Sequence, residues 1–289
     1  MTKLTFLGTG TSQGVPLIGC ECEVCRSSDP RDKRLRSAAF VEYKGLNMAI
    51  DAGPDFRQQM LRRGVRHLDA ILLTHGHMDH IGGLDDVRSF NYIDGRPVNI
   101  CCEERVEDSL RQVFSYAFAE KKYPGAPEWK IRHISAEKPF TVTSNLNDDT
   151  IVWTSGVGYT HVPAEHILEN LPSAEIIPIQ CWHDAMRRFS VLGYRFGNIA
   201  YLTDVKTLDD CELEKLKGLD VCTMNCVKYG THHSHLGVDE AIAMLQKIGA
   251  KRSYLTHLSH VIHPHAILEK ELPEGIYPAY DGLTVESEE

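Results

Sequence analysis

The hydrophobic and polar positions along this chain follow two periods, one typical of strands and the other of amphipathic helices. Short apolar runs predict strands at Lys3–Leu7, Ala38–Tyr43, Leu46–Ile50, Asp69–Thr74, Glu175–Gln180, Phe189–Phe196, Asn198–Thr203, Leu219–Met224 and Arg252–Thr256. Helical spacing predicts helices at Asp55–Arg63, Glu103–Phe114, Leu208–Leu216 and Val238–Ile248. Strands come early and late with helices between them, which favours two sheets that are each covered by helices.

The segment from Tyr116 to Leu171 follows neither period. It contains several prolines and polar clusters, so we predict an insertion or a lid at about 116–171. The chain shows no internal repeat and no linker rich in Pro, Gly and Ser. We therefore expect a single domain over residues 1–289.

Composition narrows the class of protein. The 289 residues include 40 acidic and 31 basic side chains, a formal charge of −9 that argues against a broad nucleic-acid surface. Because no apolar run approaches the roughly 20 residues that span a bilayer, and no signal segment begins the chain, we expect a cytoplasmic protein without a membrane partner. In that reducing compartment, the nine cysteines are not expected to form a disulfide framework.

A cluster of metal-binding residue types follows the predicted strand Asp69–Thr74. His75, His77, Asp79 and His80 lie within six positions, and imidazole and carboxylate groups suit zinc, manganese or iron. A tight loop at the end of a rigid strand can turn these side chains toward one point. The sequence therefore predicts a metal site here, with a polar surface loop as the alternative.

Further ligands are expected at the ends of later strands. Asp204 and His257 each follow a predicted strand, although Asp204 could instead be the N-cap of a following helix. His183 also follows a strand and competes with His161 and His166 of the poorly patterned segment. We prefer His183 because two further strands and then Asp204 come after it.

These motifs resemble the metallo-β-lactamase-fold hydrolases. Thr74–His80 matches that family's His-x-His-x-Asp-His signature, and the three later residues follow the family's order. The resemblance implies an αβ/βα sandwich, of mixed α+β and α/β class, with two metals at one edge of its sheets. Carried over position by position, the implied ligands are His75, His77 and His183 for one cation, Asp79, His80 and His257 for the other, and Asp204 for both.

A second cluster lies near the N-terminus. Cys20, Cys22 and Cys25 form a Cys-x-Cys-x-x-Cys pattern, which indicates a structural zinc more readily than disulfides. Tetrahedral zinc needs a fourth ligand, and His260 is the best candidate because it lies close to His257 in the sequence. Free or buried cysteines are the alternative reading.

The cysteine cluster narrows the resemblance to one subfamily. The chain is similar to the cyclic phosphodiesterases of the carbon–phosphorus lyase pathway, which hydrolyse 5-phosphoribosyl 1,2-cyclic phosphate. The similarity also includes Gly8-Thr9-Gly10 and the stretch Gln13–Pro16. It implies a zinc held by the three cysteines and His260, and a catalytic histidine before the helix Val238–Ile248. His235 matches that position, with His232 and His233 as alternatives.

From these features we expect metal-dependent hydrolysis of a small, cyclic phosphodiester. Two cations of zinc, manganese or iron would bridge a hydroxide, and Asp79 would bind metal and orient that hydroxide. His235 would contact the phosphate or protonate the leaving oxygen. The expected partner is a small phosphodiester substrate. The sequence leaves undecided whether the chain also forms a homodimer.

Three other functions share parts of this pattern: a tRNA 3′-processing nuclease, a thioester or lactone hydrolase, and a non-catalytic binding module. The basic run Arg31–Arg36 is the feature that favours the nuclease. The negative net charge counts against it, the cysteine cluster counts against the thioester enzymes, and the complete ligand set counts against a non-catalytic module.

Overall fold

The structure is a computed structural model that describes residues 1–154, 158–163 and 168–288. The strands are β1 (Thr2–Gly8), β2 (Ala38–Tyr43), β3 (Leu46–Ile50), β4 (Ala70–Leu72), β5 (Val98–Cys102), β6 (Trp129–His133), β7 (Phe140–Thr143), β8 (Thr150–Thr154), β9 (Gly158–Val162), β10 (Ser173–Trp182), β11 (Ser190–Phe196), β12 (Ile199–Tyr201), β13 (Thr207–Leu208), β14 (Val221–Asn225), β15 (Arg252–Thr256), β16 (Ile276–Pro278) and β17 (Thr284–Ser287). The helices are α1 (Glu23–Arg26), α2 (Phe56–Arg63), α3 (Met78–Ile81), α4 (Arg88–Asp94), α5 (Glu104–Val113), α6 (Asp210–Glu214), α7 (Val238–Ile248) and α8 (His265–Glu271).

Two large sheets form the centre of the molecule. The first has the order β17-β1-β2-β3-β4-β5-β6 and the second β13-β10-β11-β12-β14-β15-β16, with β7 added beside β10. Their facing sides share an apolar core that includes Leu4, Phe6, Tyr194 and Tyr201. Alternating strand positions supply this core, because successive side chains of a strand point to opposite faces.

Helices cover the outer faces of both sheets. Phe56 of α2 and Leu110 of α5 belong to the apolar cluster behind the first sheet. Leu245 of α7 and Leu268 of α8 belong to the cluster behind the second. The αβ/βα sandwich predicted from the sequence is confirmed. Among the described residues, no helix is long and apolar enough to cross a membrane.

Each sheet contains a parallel part, and the predicted ligands follow its strands. β3 to β6 run parallel in the first sheet, and β12, β14, β15 and β16 run parallel in the second. Asp51 and His257 come directly after β3 and β15, and Asp204 lies shortly after β12. These three residues adopt left-handed φ angles of 64°, 57° and 58°, respectively. Such angles are uncommon outside glycine and concentrate at functional sites.

Several predicted elements are shorter in the structure, among them the strand predicted at Asn198–Thr203, which spans Ile199–Tyr201. The strand predicted to end at Thr74 ends at Leu72, because the Thr74 amide donates to the Asp51 carboxylate (2.8 Å) instead of to a neighbouring strand. The helix predicted at Leu208–Leu216 spans only Asp210–Glu214, since Thr207–Leu208 pairs with β10 as β13.

The segment 116–171 is partly built into the sheets. β6 extends the first sheet beside β5, and β7 pairs with β10. β8 and β9 form a separate two-stranded hairpin. A role of this segment as a lid stays a prediction, and part of it lies outside the described residues.

His67 forms an ion-pair bridge next to β4. Its Nε2 lies 3.1 Å from the Asp69 carboxylate and its Nδ1 lies 2.9 Å from the Asp94 carboxylate at the end of α4. The hydrogen bond with Asp69 and the bond with Asp94 outweigh partial burial and raise the pKa of His67 from its ordinary 6.5 to about 9. The protonated ring therefore ties α4 to the strand that leads into the histidine-rich loop.

We predict that His67→Ala lowers the free energy of unfolding by about 2 kcal/mol at pH 6. A folded-state pKa raised above the unfolded value stabilises fully below pH 6.5, and this stabilisation is lost as pH rises through about 9. Urea unfolding at pH 6, 8 and 10 measures the difference from wild type. The exposed Arg66→Ala serves as control, and an effect of His67→Ala that stayed constant with pH would contradict the prediction.

Candidate metal centre

The histidine-rich loop is packed tightly against the turn that follows β3. The Ala52 amide donates to the His80 carbonyl (2.7 Å). A Cβ at Gly53 would lie 1.9 Å from the Asp79 carbonyl oxygen, so only glycine allows this approach. The Asp51-Ala52-Gly53 turn therefore fixes the backbone beneath the predicted ligands.

The structure brings the seven predicted ligands together where the parallel strands of both sheets end. Their ligand atoms fall into groups whose members lie within 4.8 Å of one another: His75, His77 and His183; Asp79, His80 and His257; and His75, His80 and Asp204. The first two groups are the two sets that the family resemblance implies. Asp204 lies next to members of both sets.

Neighbouring polar groups orient several of these rings. His80 Nδ1 bonds the Asp51 carboxylate (2.6 Å), and His75 Nδ1 lies 2.9 Å from the Thr74 hydroxyl. His183 Nδ1 donates to the Asp204 carbonyl (2.9 Å). Each contact leaves the other ring nitrogen directed at the cluster, which is the arrangement that metal-ligating histidines show.

The unpaired atoms of the cluster fit divalent cations. His80 Nε2 and His257 Nε2 are buried without a hydrogen-bond partner among the described residues. They lie 3.2 and 3.3 Å from oxygens of the Asp204 carboxylate. Buried polar atoms are normally paired, and a cation among these nitrogens and oxygens would pair them. The imidazole and carboxylate donors suit zinc, manganese or iron.

Neighbouring charges shift the pKa values of His80 and Asp204 in opposite directions. Burial opposes charge on His80, but Asp204, Asp51 and Asp79 raise the pKa of this ring well above its usual value. Burial also opposes ionisation of Asp204, yet His257 and His80 hold the pKa of its carboxyl well below the usual range. The neighbouring carboxylates thus favour positive charge at His80, and bound cations would supply positive charge beside the same carboxylates.

His235 lies at the inner end of its histidine-rich segment. Its ring centroid is 4.6 Å from that of His183 and 4.7 Å from that of His257, and its Nδ1 lies 3.7 Å from the Asp204 carboxylate. His232 is one step further out, with its ring 5.1 Å from His235, and His233 is exposed. Of the three alternatives, His235 is the one placed against the ligand cluster.

The cysteine cluster and His260 also converge. The ligand atoms of Cys20, Cys22, Cys25 and His260 lie within 4.8 Å of one another, and Cys20 Sγ is 3.2 Å from His260 Nδ1. His257 and His260 leave the same short turn in different directions, toward the metal cluster and toward the cysteines. Three sulfur donors and one imidazole fit tetrahedral zinc.

The thiols of this cluster differ in acidity. The Cys25 backbone amide donates to Cys22 Sγ and is the main cause that lowers the Cys22 pKa to about 6. Burial raises the Cys25 pKa to about 11. Cys22 is therefore ready to bind a cation at neutral pH, whereas Cys25 needs the cation to lose its proton.

Two alternatives from the sequence do not join the cluster. His161 lies exposed in β9 and belongs to none of the ligand groups found in the described residues; His166 lies outside them. The reading of Asp204 as a helix N-cap is wrong, because α6 begins at Asp210 with Asp209 as its N-cap.

The basic run 31–36 is paired within the fold. Arg31 contacts Asp29, and Arg36 contacts Asp55. Arg34 is buried and donates to the Thr9 hydroxyl and the Ala279 carbonyl. Lys33 donates to the Cys25 carbonyl. These cations serve the structure around the N-terminal loops rather than a continuous basic surface.

Comparison with known proteins agrees with this architecture. Residues 47–258 match the family model described as the beta-lactamase superfamily domain. A crystal structure described as a new diphosphatase from the PhnP family shares 38% identity, with a TM-score of 0.80 and coverage of 100% of this chain and 98% of that one. Zn²⁺-bound PqqB from Methylobacterium extorquens shares the fold at 19% identity, with a TM-score of 0.69 and coverage of 99% and 100%.

A curated relative from Porphyromonas gingivalis carries a different activity in its name. It is called octanoyltransferase and is 37% identical over 287 residues, which cover 97% of this chain and 51% of the relative. This chain thus spans about half the length of that protein. The family match over residues 47–258 shows that the chain belongs to the β-lactamase superfamily, and its two-sheet architecture is the metallo-β-lactamase fold.

Proposed function

We propose that the chain hydrolyses small phosphodiesters, cyclic ones among them, with two divalent cations of zinc, manganese or iron. One cation is assigned to His75, His77 and His183, the other to Asp79, His80 and His257, with Asp204 shared. A structural zinc is assigned to Cys20, Cys22, Cys25 and His260. The observation that carries the proposal is the placement of His235 beside this ligand set, because it adds an acid–base group to a complete binuclear site.

The residues divide the chemistry between them. When bound, two cations would neutralise phosphate charge and lower the pKa of a water molecule. Asp79, whose pKa is held at about 2 against burial mainly by His80, stays ionised and accepts a hydrogen bond from the attacking group. His235, which burial keeps neutral by lowering its pKa to about 2, contacts the phosphate, or it accepts a proton from the attacking water and passes that proton to the leaving oxygen.

The cavity beside the cluster favours a small substrate. It measures about 250 Å³ and is lined by Thr11, Ser12 and Gln13 on one side and by His232, His235 and His257 on another. This volume lies just below the usual range for drug-sized ligands. Hydroxyl, amide and imidazole groups can hydrogen-bond a phosphorylated sugar.

The charges argue against a folded RNA substrate. Binding of nucleic acid depends largely on free cationic groups that contact phosphates. Here Arg31 and Arg36 are paired with carboxylates and Arg34 is buried. The chain as a whole carries a net charge of −9.

A diphosphate is the second candidate substrate. It is favoured by the relative described as a diphosphatase, which is 38% identical over the whole chain. Diphosphate and phosphodiester hydrolysis both require attack at phosphorus and a stabilised leaving oxygen. The same residues can therefore act on either substrate, and the two reactions differ in the group that leaves from phosphorus.

The metal assignment predicts about three metal ions per fully loaded chain. We expect Cys22→Ala to lose about one ion and to lower the melting temperature, because a closed cysteine site contributes folding energy. His77→Ala should abolish turnover but retain the structural zinc of the cysteine cluster. Elemental analysis and thermal melts measure both effects, with the exposed Cys211→Ala as matched control. Unchanged zinc content in Cys22→Ala would contradict the assignment.

The position of His235 predicts a kinetic effect. We expect His235→Ala to lower kcat by about 10²–10⁴-fold with metal content unchanged, the usual loss for an acid–base group. Steady-state kinetics on an aryl phosphodiester, together with elemental analysis, test this. The kcat of the exposed His233→Ala variant should remain near the wild-type value. A larger loss of kcat in that variant than in His235→Ala would assign the acid–base role to His233.

A substrate competition decides the reaction. At equal metal and moderate salt, purified protein is offered a ribose cyclic phosphate, an aryl phosphodiester, a dinucleoside diphosphate, an octanoyl thioester and a precursor tRNA. We expect turnover of the small phosphodiesters to exceed that of the other three. Fastest cleavage of the diphosphate would select the second candidate, whereas thioester cleavage or tRNA trimming alone would overturn the proposal.

A further inference from the structure

His77 is the exposed member of the seven proposed ligands. An exposed imidazole can rotate, and ordering it costs conformational entropy when a metal binds. Its Nδ1 lies 3.0 Å from His75 Nε2, but metal binding would take His75 Nε2 away from that hydrogen bond. Another contact is therefore needed to hold the His77 ring in place.

Phe189 provides that contact. The Phe189 and His77 rings are stacked, with centroids 4.8 Å apart and planes inclined by 22°. Phe189 also lies against the other histidines of this ligand group, 5.8 Å from the His75 centroid and 5.6 Å from the His183 centroid. One aromatic side chain thus touches all three imidazoles assigned to one cation.

The loop that carries Phe189 is closed on itself. The Asp184 carboxylate accepts hydrogen bonds from the amides of Met186, Arg188 and Phe189, at 2.8, 3.0 and 2.9 Å. The His183 amide donates to the Phe189 carbonyl at 2.8 Å. Because these bonds join the two ends of the loop, the backbone of Phe189 is fixed relative to that of His183.

Two charged residues that follow β5 of the first sheet, Glu103 and Arg105, hold the Phe189 side chain in place. The Arg105 guanidinium lies 5.0 Å from the Phe189 ring centroid, within cation–π range. Arg105 pairs with Glu103 at 2.8 Å and donates to the Ser190 carbonyl, while the Ser190 hydroxyl donates to Glu103 at 3.0 Å. Glu103 is the N-cap of α5 and Arg105 lies in its first turn, so this contact joins the two halves of the sandwich.

We propose that Phe189, held by Arg105 and Glu103, is a positioning residue that presets the His77 ring for metal binding. The proposal rests on the metal centre of the proposed function and concerns its affinity rather than its substrate. Residues that orient metal ligands from outside typically change metal affinity by about 10–100-fold when they are removed. Phe189 orients the His77 ring by stacking, whereas hydrogen bonds orient the rings of His75, His80 and His183.

The test is calorimetric titration of Mn²⁺ into protein whose histidine and aspartate sites are free of metal. Zinc is retained in the cysteine cluster, because thiolate ligands prefer zinc to the harder Mn²⁺. We expect Phe189→Leu to weaken binding of one Mn²⁺ by about 10-fold. Phe189→Tyr keeps the ring and should restore wild-type affinity. In a His77→Ala background, Phe189→Leu should have no further effect, because the two residues act as one unit.

Phe118→Leu is the matched control. Phe118 is likewise half-buried, with an arginine 4.4 Å from its ring centroid and an aromatic neighbour at 5.6 Å, but it contacts Trp129 instead of a ligand. Wild-type Mn²⁺ affinity in Phe189→Leu, or an equal loss in Phe118→Leu, would overturn the positioning role. Neither result depends on a substrate, so the proposed reaction would stand; wild-type protein that bound no Mn²⁺ would remove the centre on which both proposals rest.

Discussion

The structure depends on the burial of ionisable groups at the edge where its two sheets meet. Asp51, His80, Asp204 and His257 are almost completely inaccessible to solvent. Isolated buried charges are costly, so they persist only when paired or bound to metal. Asp51 and His80 pair with each other, while His257 and Asp204 keep atoms for a cation. The surrounding fold therefore buries carboxylate and imidazole groups that a bound cation would pair.

Of the six non-glycine residues with left-handed φ angles in the described part of the chain, three lie at this edge. Asp51, Asp204 and His257 all adopt left-handed φ angles directly after strands or close to their ends. Each such residue costs of order 1–3 kcal/mol and survives only where its surroundings determine it. The close approach of Gly53 to the Asp79 carbonyl is part of those surroundings. The strained backbone turns side chains out of the sheet direction and into the cluster.

One short turn connects the two proposed metal sites. His257 points into the histidine and aspartate cluster and His260 into the cysteine cluster, and the Leu258 amide between them donates to the Thr9 carbonyl (2.8 Å). The cysteine site thus holds the N-terminal loop against the turn that carries His257, one of the proposed metal ligands. That loop also lines the small cavity, so the structural zinc would shape the place where substrate binds.

The sequence by itself determined the architecture and the composition of the site. The pattern of strands and amphipathic helices predicted two helix-covered sheets, and the family resemblance implied the sandwich. The His75–His80 motif with Asp204 and His257 predicted ligands at strand ends, because residues after parallel strands meet at one edge. Side-chain chemistry and spacing along the chain are local properties, which is why they could be read without the fold. The helix Leu208–Leu216 was predicted too long because pairing of β13 with β10 is a contact between distant residues.

Only the tertiary structure decided how distant side chains meet. It placed His235 rather than His232 or His233 against the ligands, paired the basic run with carboxylates, and set Phe189 on His77. It also excluded Asp204 as a helix cap. The family resemblance had already favoured His235, but the other outcomes have no signature in residue type or spacing. Each depends on distances between segments that are far apart in the chain and meet only when the two sheets pack together.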